Sequence, residues 1–279
     1  MRWCAVALWV FELCCCLVIA VTLAMLARLH GARRVALDYV GLALAAWAGE
    51  QSCIAAYGFY RYADGWHVRI VDVPALVPLI WPLVILSARD VVGAMWRTRA
   101  LPLLVGAAVV FDASLVEVLS VRAGLWSWAE PGHLGVPIIG MLGWGYFAAA
   151  AVWMLGSRRL SARLALPIAA PALTHAAIVA SWWGALRWGL RGDLGTASLI
   201  GLCAVSGAVT TAVALARAKG RFVARQIWMP RLAATALFLV LLLLTAARDR
   251  ALWLHLGCVA VPYLATMSFA RTLSGPKAR

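Results

Sequence analysis

Long apolar runs separated by short polar connections dominate the hydropathy pattern of the chain. A helix needs about 20 apolar residues to cross a bilayer, and nine runs are long enough. They cover residues 5–27, 35–58, 73–95, 100–121, 134–155, 163–187, 195–216, 230–247 and 251–270. Only Arg248, Asp249 and Arg250 separate the last two, so eight helices with one re-entrant segment is the alternative. The pattern predicts an all-α fold, a polytopic transmembrane bundle of about nine helices.

Composition agrees with a single integral membrane domain over residues 1–279. The chain is 65% hydrophobic and only 13% charged, whereas a soluble domain of this length needs more polar residues to cover its surface. The first apolar run is longer than the hydrophobic region of a signal peptide. We therefore interpret it as a retained helix.

The net charge of +14 is unevenly distributed along the chain. A strongly basic protein is a candidate nucleic-acid binder, but 17 of the 25 Lys and Arg residues fall in alternate loops and the C-terminal segment. Positive loops face the cytoplasm. We expect a multi-pass protein of the cell (inner) membrane with its C-terminus in the cytoplasm and its N-terminus outside. Anionic membrane lipids then account for the basic face without a nucleic-acid partner.

The seven cysteines lie in or beside apolar runs and lack C-x-x-C metal spacing. Cysteine often acts as a small buried hydrophobe. Since an H-E-x-x-H pattern is also missing from the sequence, we predict neither a metal site nor a disulfide framework.

Helices two to five contain a weak internal repeat, a pair of parallel helical hairpins. The first unit contains, in order, Glu50, Tyr57-Gly58-Phe59-Tyr60-Arg61-Tyr62, Val73-Pro74 and Trp81. The second contains Asp112, Glu117, Trp126-Ser127-Trp128, Val136-Pro137 and Trp144. The proline precedes the tryptophan by seven residues in both units. Both units cross the membrane in the same order, so the repeat axis would lie along the membrane normal.

Several ionisable side chains lie inside the predicted helices. They are Glu12, Glu50, Asp112, Glu117 and His175. Because an intramembrane carboxylate costs about 2.5–3.5 kcal/mol on insertion, such residues are functional candidates. The predicted topology places them in the outer half of four helices. One carboxyl can then act as a general acid while a second acts as a base; the alternative is a polar cluster that only holds helices together.

Aromatic residues surround these acids in the sequence. The candidate binding residues are Tyr57, Tyr60, Tyr62, Trp81, Trp126, Trp128 and Trp144, with His175. They are either an interfacial belt or the rim of a binding site. Aromatic faces stabilise cations, so acid, base and aromatic walls together suit proton-initiated chemistry on an alkene of a hydrophobic substrate.

The two units resemble the membrane proteins of carotenoid biosynthesis. The stretch from Glu50 to Trp81 is similar to that family's acid, F/Y-G-x-Y-x-Y, V-P and I-P-L-x-W motif. The stretch from Asp112 to Trp144 is similar to its D…G-x-W-x-W…G-V-P…G-W motif. The resemblance covers residues 45–150 or so, which we expect to be the family core. Characterised members include acyclic carotenoid 1,2-hydratases and the bisanhydrobacterioruberin hydratase.

The resemblance implies a hydro-lyase that adds water to a terminal C=C bond of an acyclic carotenoid. Glu50 or Asp112 would protonate the bond, and the other of these two carboxylates would position water. Glu117 is a third candidate for these roles. The aromatic residues would stabilise the cation. The implied partners are a carotenoid or isoprenoid substrate and other pigment-pathway enzymes, without a cofactor. A lycopene-cyclase-like isomerase, a proton-coupled transporter or lipid-binding protein, and a structural subunit of a pigment-enzyme complex remain alternatives.

Overall fold

A computed structural model describes residues 5–130, 132–157, 159–190, 201, 204–209, 211–212 and 223–267. The first five long helices are α1 (Ala5–His30), α2 (Ala32–Tyr57), α3 (Leu76–Met95), α4 (Leu101–Arg122) and α5 (Ile138–Leu155). They are followed by α6 (Leu160–Leu164), α7 (Leu166–Ile178), a π-helical segment (Val179–Leu186) and α8 (Arg187–Leu190). The last elements are α9 (Arg225–Trp228), a 3-10 turn (Met229–Arg231), α10 (Leu232–Ala246) and α11 (Arg250–Thr266).

These helices confirm the all-α membrane bundle. Within the described part of the chain, six helical stretches are long and apolar enough to cross a membrane, namely 8–30, 76–95, 101–122, 138–155, 166–189 and 225–246. Helix α2 is equally long but more charged, and α11 is a shorter apolar helix. Most of the predicted run 195–216 lies outside the described residues. The turn at Asp249 separates α10 from α11, and its carboxylate caps α11.

The central helices α4 and α5 pack against each other without intervening side chains at one point. A Cβ atom on Gly106 would lie 2.7 Å from the carbonyl oxygen of Gly145, and one on Gly145 would lie 3.0 Å from that of Gly106. Small residues allow this close backbone approach in membrane proteins. The contact sets the distance between the helix that carries Glu117 and the one that carries Trp144.

The connections after α2 and α4 contain short strands, β1 (Tyr60–Tyr62), β2 (Arg69–Ile70), β3 (Val73–Pro74) and β4 (Trp126–Trp128). Strand β1 pairs antiparallel with β4, which places Tyr60 opposite Trp128 and Tyr62 opposite Trp126. Strand β2 pairs with β3. The β1–β4 sheet therefore joins the two hairpins of the predicted repeat.

The α2–α3 connection is tied to the helices on either side of it. Glu12 of α1 accepts one hydrogen bond from the backbone N–H of His67 (3.0 Å), and its other carboxylate oxygen pairs with the Nδ1 atom of His67 (2.6 Å). Trp47 of α2 donates its Nε1–H to the carbonyl of Ile70. The connection thus folds back along α2 rather than extending away from the bundle.

The glycine contact generates a prediction about stability. We expect Gly106→Ala to lower the free energy of unfolding by about 1–3 kcal/mol, because the new methyl group meets backbone that cannot move aside cheaply. Gly93→Ala on α3 is the matched control, since a Cβ there meets nothing within 4 Å. Thermal or denaturant unfolding in detergent measures both; equal stability of the two variants would contradict the tight contact.

Candidate functional site

An internal cavity lies between α2, α3, α4, α5 and α7 beneath the β1–β4 sheet. The cavity is partly open, and its free volume of about 60 Å³ has room for a few water-sized groups. The predicted residues that line it are Glu50, Tyr60, Tyr62, Trp81, Glu117, Trp126, Trp128, Trp144 and His175. Apolar side chains such as Val77, Ile139 and Ile178 complete the walls. Sequence reasoning missed these apolar residues because nothing distinguishes them from ordinary core positions.

Glu50 is the buried acid of the first hairpin, with 6% of its surface exposed. The hydroxyls of Tyr60 and Tyr62 both donate to its Oε2 atom, Tyr62 at 2.7 Å. The alternation of β1 brings these two tyrosines to one face and turns Arg61 to the other, where it is exposed. A three-residue strand is therefore enough to supply both donors.

Glu117 is the buried acid of the second hairpin, and only 3% of its surface is exposed. Trp126 of β4 donates its Nε1–H to Oε2 at 2.8 Å. Trp144 of α5 donates to Oε1 at 3.1 Å. Both carboxylate oxygens thus accept a hydrogen bond from an indole.

The two acids occupy equivalent places in the repeat. Each receives a hydrogen bond from the aromatic-x-aromatic strand of its own hairpin, and both residues line the same cavity. Trp81 and Trp144, the paired tryptophans of the repeat, stack with ring centroids 3.4 Å apart. The structure therefore matches Glu50 with Glu117.

Aromatic rings from the sheet form the roof of the cavity. Tyr60 packs on Trp128 with centroids 4.7 Å apart, and Tyr62 meets Trp126 edge to face at 5.7 Å. Burial, reinforced by the nearby Glu50 carboxyl, raises the pKa of Tyr60 and Tyr62 well above the ordinary value. Both phenols stay neutral and keep the protons that they donate.

His175 of α7 lines the cavity. Its Nε2 atom lies 2.8 Å from the hydroxyl of Ser52, and its Nδ1 atom lies 2.8 Å from the hydroxyl of Tyr57. Tyr57 also stacks on Phe59, with centroids 4.7 Å apart. Tyr57, predicted as a binding residue, therefore contacts a cavity-lining residue rather than lining the cavity itself.

Asp112 does not join the other predicted catalytic acids. Its Oδ1 atom accepts hydrogen bonds from Arg231 (2.6 Å) and from the hydroxyl of Tyr263 (3.0 Å). Five residues separate it from Glu117, which corresponds to about 140° around the helix, so the two side chains face different neighbours. Asp112, predicted to share a site with Glu50, therefore does not line the cavity that contains Glu50. Glu12, bound to His67, also lies outside the cavity.

Among the residues that the structure describes, no group of three or more His, Cys, Asp and Glu side chains is arranged to hold a metal ion. The polar chemistry of the cavity is that of its carboxyl, phenol, indole and imidazole groups.

Fold and cavity together define a class of protein, a membrane helix bundle in which two related hairpins enclose a pair of carboxyl groups. A family model described as carotenoid biosynthesis protein matches residues 8–203. The chain belongs to this family and is a membrane protein of the carotenoid pathway. The match extends beyond the expected core of 45–150 to take in α1 and α6 to α8, whereas α10 and α11 lie outside it. The same comparisons match no curated protein and no solved structure to this chain.

The hydrogen bond from Trp126 to Glu117 should make a measurable contribution to the free energy of unfolding. Trp126→Phe removes one indole donor from a buried carboxyl, so we expect a loss of about 1–3 kcal/mol in unfolding free energy. The matched control is Trp153→Phe, because Trp153 is 65% exposed and should lose far less.

A double-mutant cycle tests the cause of that loss. In a Glu117→Gln background, Trp126→Phe should be less destabilising, because the charge that strengthens the hydrogen bond is gone. Circular dichroism during denaturant unfolding gives all four free energies. If the effects of Trp126→Phe and Glu117→Gln on the free energy of unfolding are strictly additive, the proposed hydrogen bond between the two residues is contradicted.

Proposed function

We propose that the protein hydrates a terminal C=C bond of an acyclic carotenoid in the cavity that contains Glu50 and Glu117. One observation carries this proposal: two buried carboxyl groups with unlike hydrogen-bond partners face the same aromatic cavity. Family membership supports a carotenoid-type substrate. The aromatic and apolar lining of the cavity suits one end of a long polyene.

The hydrogen-bond partners assign different roles to the two acids. An indole N–H can only donate, so two indoles on Glu117 favour its ionised form. Phenol hydroxyls can donate or accept, so Tyr60 and Tyr62 tolerate Glu50 in either protonation state. Because both phenols use Oε2 of Glu50, Oε1 is the oxygen left to carry a proton. Glu50 is then the general acid and Glu117 the carboxylate.

The proposed hydration needs neither an oxidant nor a reductant. Glu50 transfers its proton to the terminal C=C bond, which leaves a tertiary carbocation. Faces of Tyr60, Trp126 and Trp128 stabilise that cation. Water adds to the cation and gives a proton to Glu117, and transfer of this proton back to Glu50 restores the site. The net reaction adds one water to the alkene.

Asp112 has a structural role in this scheme. Its charge is already balanced by Arg231, whose guanidinium also lies 4.7 Å above the ring of Tyr263. Breaking such a buried pair is destabilising. The pair joins α4 to the start of α10 and to α11.

Expression in a lycopene-accumulating host tests the proposed reaction. Mass analysis of the extracted pigments should show a gain of one or two waters. A cyclised product of unchanged mass would favour the cyclase-like alternative, and an unchanged pigment would contradict both reactions on this substrate.

Variants of the acids test the assignment of roles. We expect Glu50→Gln and Glu117→Gln each to lower product formation by about 10²–10⁴-fold, the usual contribution of a positioned acid or base. Asp112→Asn is the control, an intramembrane acid outside the cavity. Its activity per folded protein should stay within a few-fold of the parent; a loss as large as that of Glu50→Gln would contradict the scheme.

The uneven distribution of positive charge supports a topology with the C-terminus in the cytoplasm. We expect a C-terminal green fluorescent protein fusion to fluoresce and a C-terminal alkaline phosphatase fusion to be inactive. The reverse pattern would contradict this orientation and would place the cavity in the cytoplasmic half.

A further inference from the structure

A second polar cluster lies at the end of the bundle where α1 and α3 end and α2 and α6 begin. Its centre is Asp38 of α2, which is only 3% exposed. Three guanidinium groups surround its carboxylate, those of Arg34 (4.0 Å), Arg89 (3.6 Å) and Arg163 (3.5 Å). They come from α2, α3 and α6, so the cluster joins three helices.

The cluster carries an excess of positive charge. Its second acid, Asp90, pairs with His30 at 2.7 Å and with Arg89 at 3.7 Å. Arg34, Arg89 and Arg163 face the two aspartates, and Arg33 lines the adjoining cavity. These six groups leave a net charge of about +2 before His30 is counted. An anion placed there would complete the charge balance.

The guanidinium groups keep donors for such an anion. Their distances to Asp38, 3.5–4.0 Å, are those of ion pairs rather than of hydrogen bonds. Asp38 therefore positions the arginines without using up their N–H groups. Arginine in this state is suited to bidentate recognition of phosphate.

Space for the anion exists beside the arginines. The larger of two adjoining cavities is an open one of about 440 Å³, lined by Arg33, Arg34 and Arg163 together with His30. The smaller cavity, against Asp38 and Arg89, has no room for a water molecule. A phosphate group in the larger cavity can therefore approach the guanidinium groups of Arg33, Arg34 and Arg163 at once.

An apolar stripe begins at the larger cavity. Leu37 lines that cavity and is 61% exposed, and Val40 and Leu44 are exposed on the same face of α2. Residues spaced by three and four lie in one row along a helix. A phosphate bound by the arginines would thus sit directly above a surface that suits an acyl chain.

We propose that this cluster binds the phosphate headgroup of an anionic phospholipid, with one acyl chain along Leu37, Val40 and Leu44. Basic pockets between transmembrane helices recognise such headgroups. The site lies apart from Glu50 and Glu117 and shares no lining residue with their cavity. It therefore stands whether or not the protein is a hydratase.

Lipid titration of the purified full chain in detergent tests the site. Native mass spectrometry should detect tighter binding of dioleoylphosphatidylglycerol than of dioleoylphosphatidylcholine. The double variant Arg34→Gln/Arg163→Gln should bind the anionic lipid about tenfold more weakly or worse, because it removes two of the three guanidinium groups that line the larger cavity. Both side chains are partly exposed, so the substitutions should be compatible with folding.

Arg97→Gln/Arg99→Gln is the matched control, because these two exposed arginines carry the same charge and line neither cavity. Its affinity should stay within about twofold of the parent, because a lipid held in the larger cavity does not contact these two residues. Equal loss in the control, or equal binding of the two lipids, would show only a general attraction to basic residues and would overturn the site. Binding of millimolar inorganic phosphate without measurable lipid binding would also overturn the lipid assignment.

A charge-retaining variant distinguishes bidentate binding of the headgroup from a simple attraction between opposite charges. Arg34→Lys/Arg163→Lys keeps both positive charges but loses the planar fork of donors. A loss of about three-fold or more in phosphatidylglycerol affinity supports bidentate headgroup binding, and unchanged affinity contradicts it. If the glutamine variant fails to fold, the lysine variant alone decides.

Discussion

Backbone pairing between Tyr60–Tyr62 and Trp126–Trp128 joins two helical hairpins through loops far apart in the sequence. Polar backbone near lipid has to find partners within the protein, and these two loops satisfy each other. The pairing fixes which residues of each strand face inward. Four aromatic rings consequently lie over one cavity, and the donors for Glu50 and one donor for Glu117 come from the sheet.

The repeat places equivalent acids side by side but surrounds them with different chemistry. Phenols bind one acid and indoles bind the other. Two carboxyls in one buried site do not ionise together readily, so unlike donors give the pair a preferred distribution of charge. Asp112 is close to Glu117 in the sequence, but it pairs with Arg231 and does not share the charge of the two cavity glutamates.

The sequence was sufficient for the helices and for much of the cavity. Apolar run length predicted the long helices, and the matched proline-to-tryptophan spacing anticipated Trp81 and Trp144, which stack on each other. The pattern could not place Asp112, because its partner Arg231 follows more than a hundred residues later. Strands of three residues carry too little periodicity to reveal that β1 pairs with β4. The link between Ser52 and His175 likewise depends on how α2 packs against α7.

Each buried glutamate finds donors within its own hairpin, Glu50 at Tyr60 and Tyr62 and Glu117 at Trp126 and Trp144. This arrangement matters during biogenesis, when the chain leaves the ribosome from its N-terminus. The first hairpin can enter the bilayer with its acid already hydrogen-bonded, before the second hairpin has been synthesised. Insertion of these two acids therefore does not have to wait for assembly of the whole bundle.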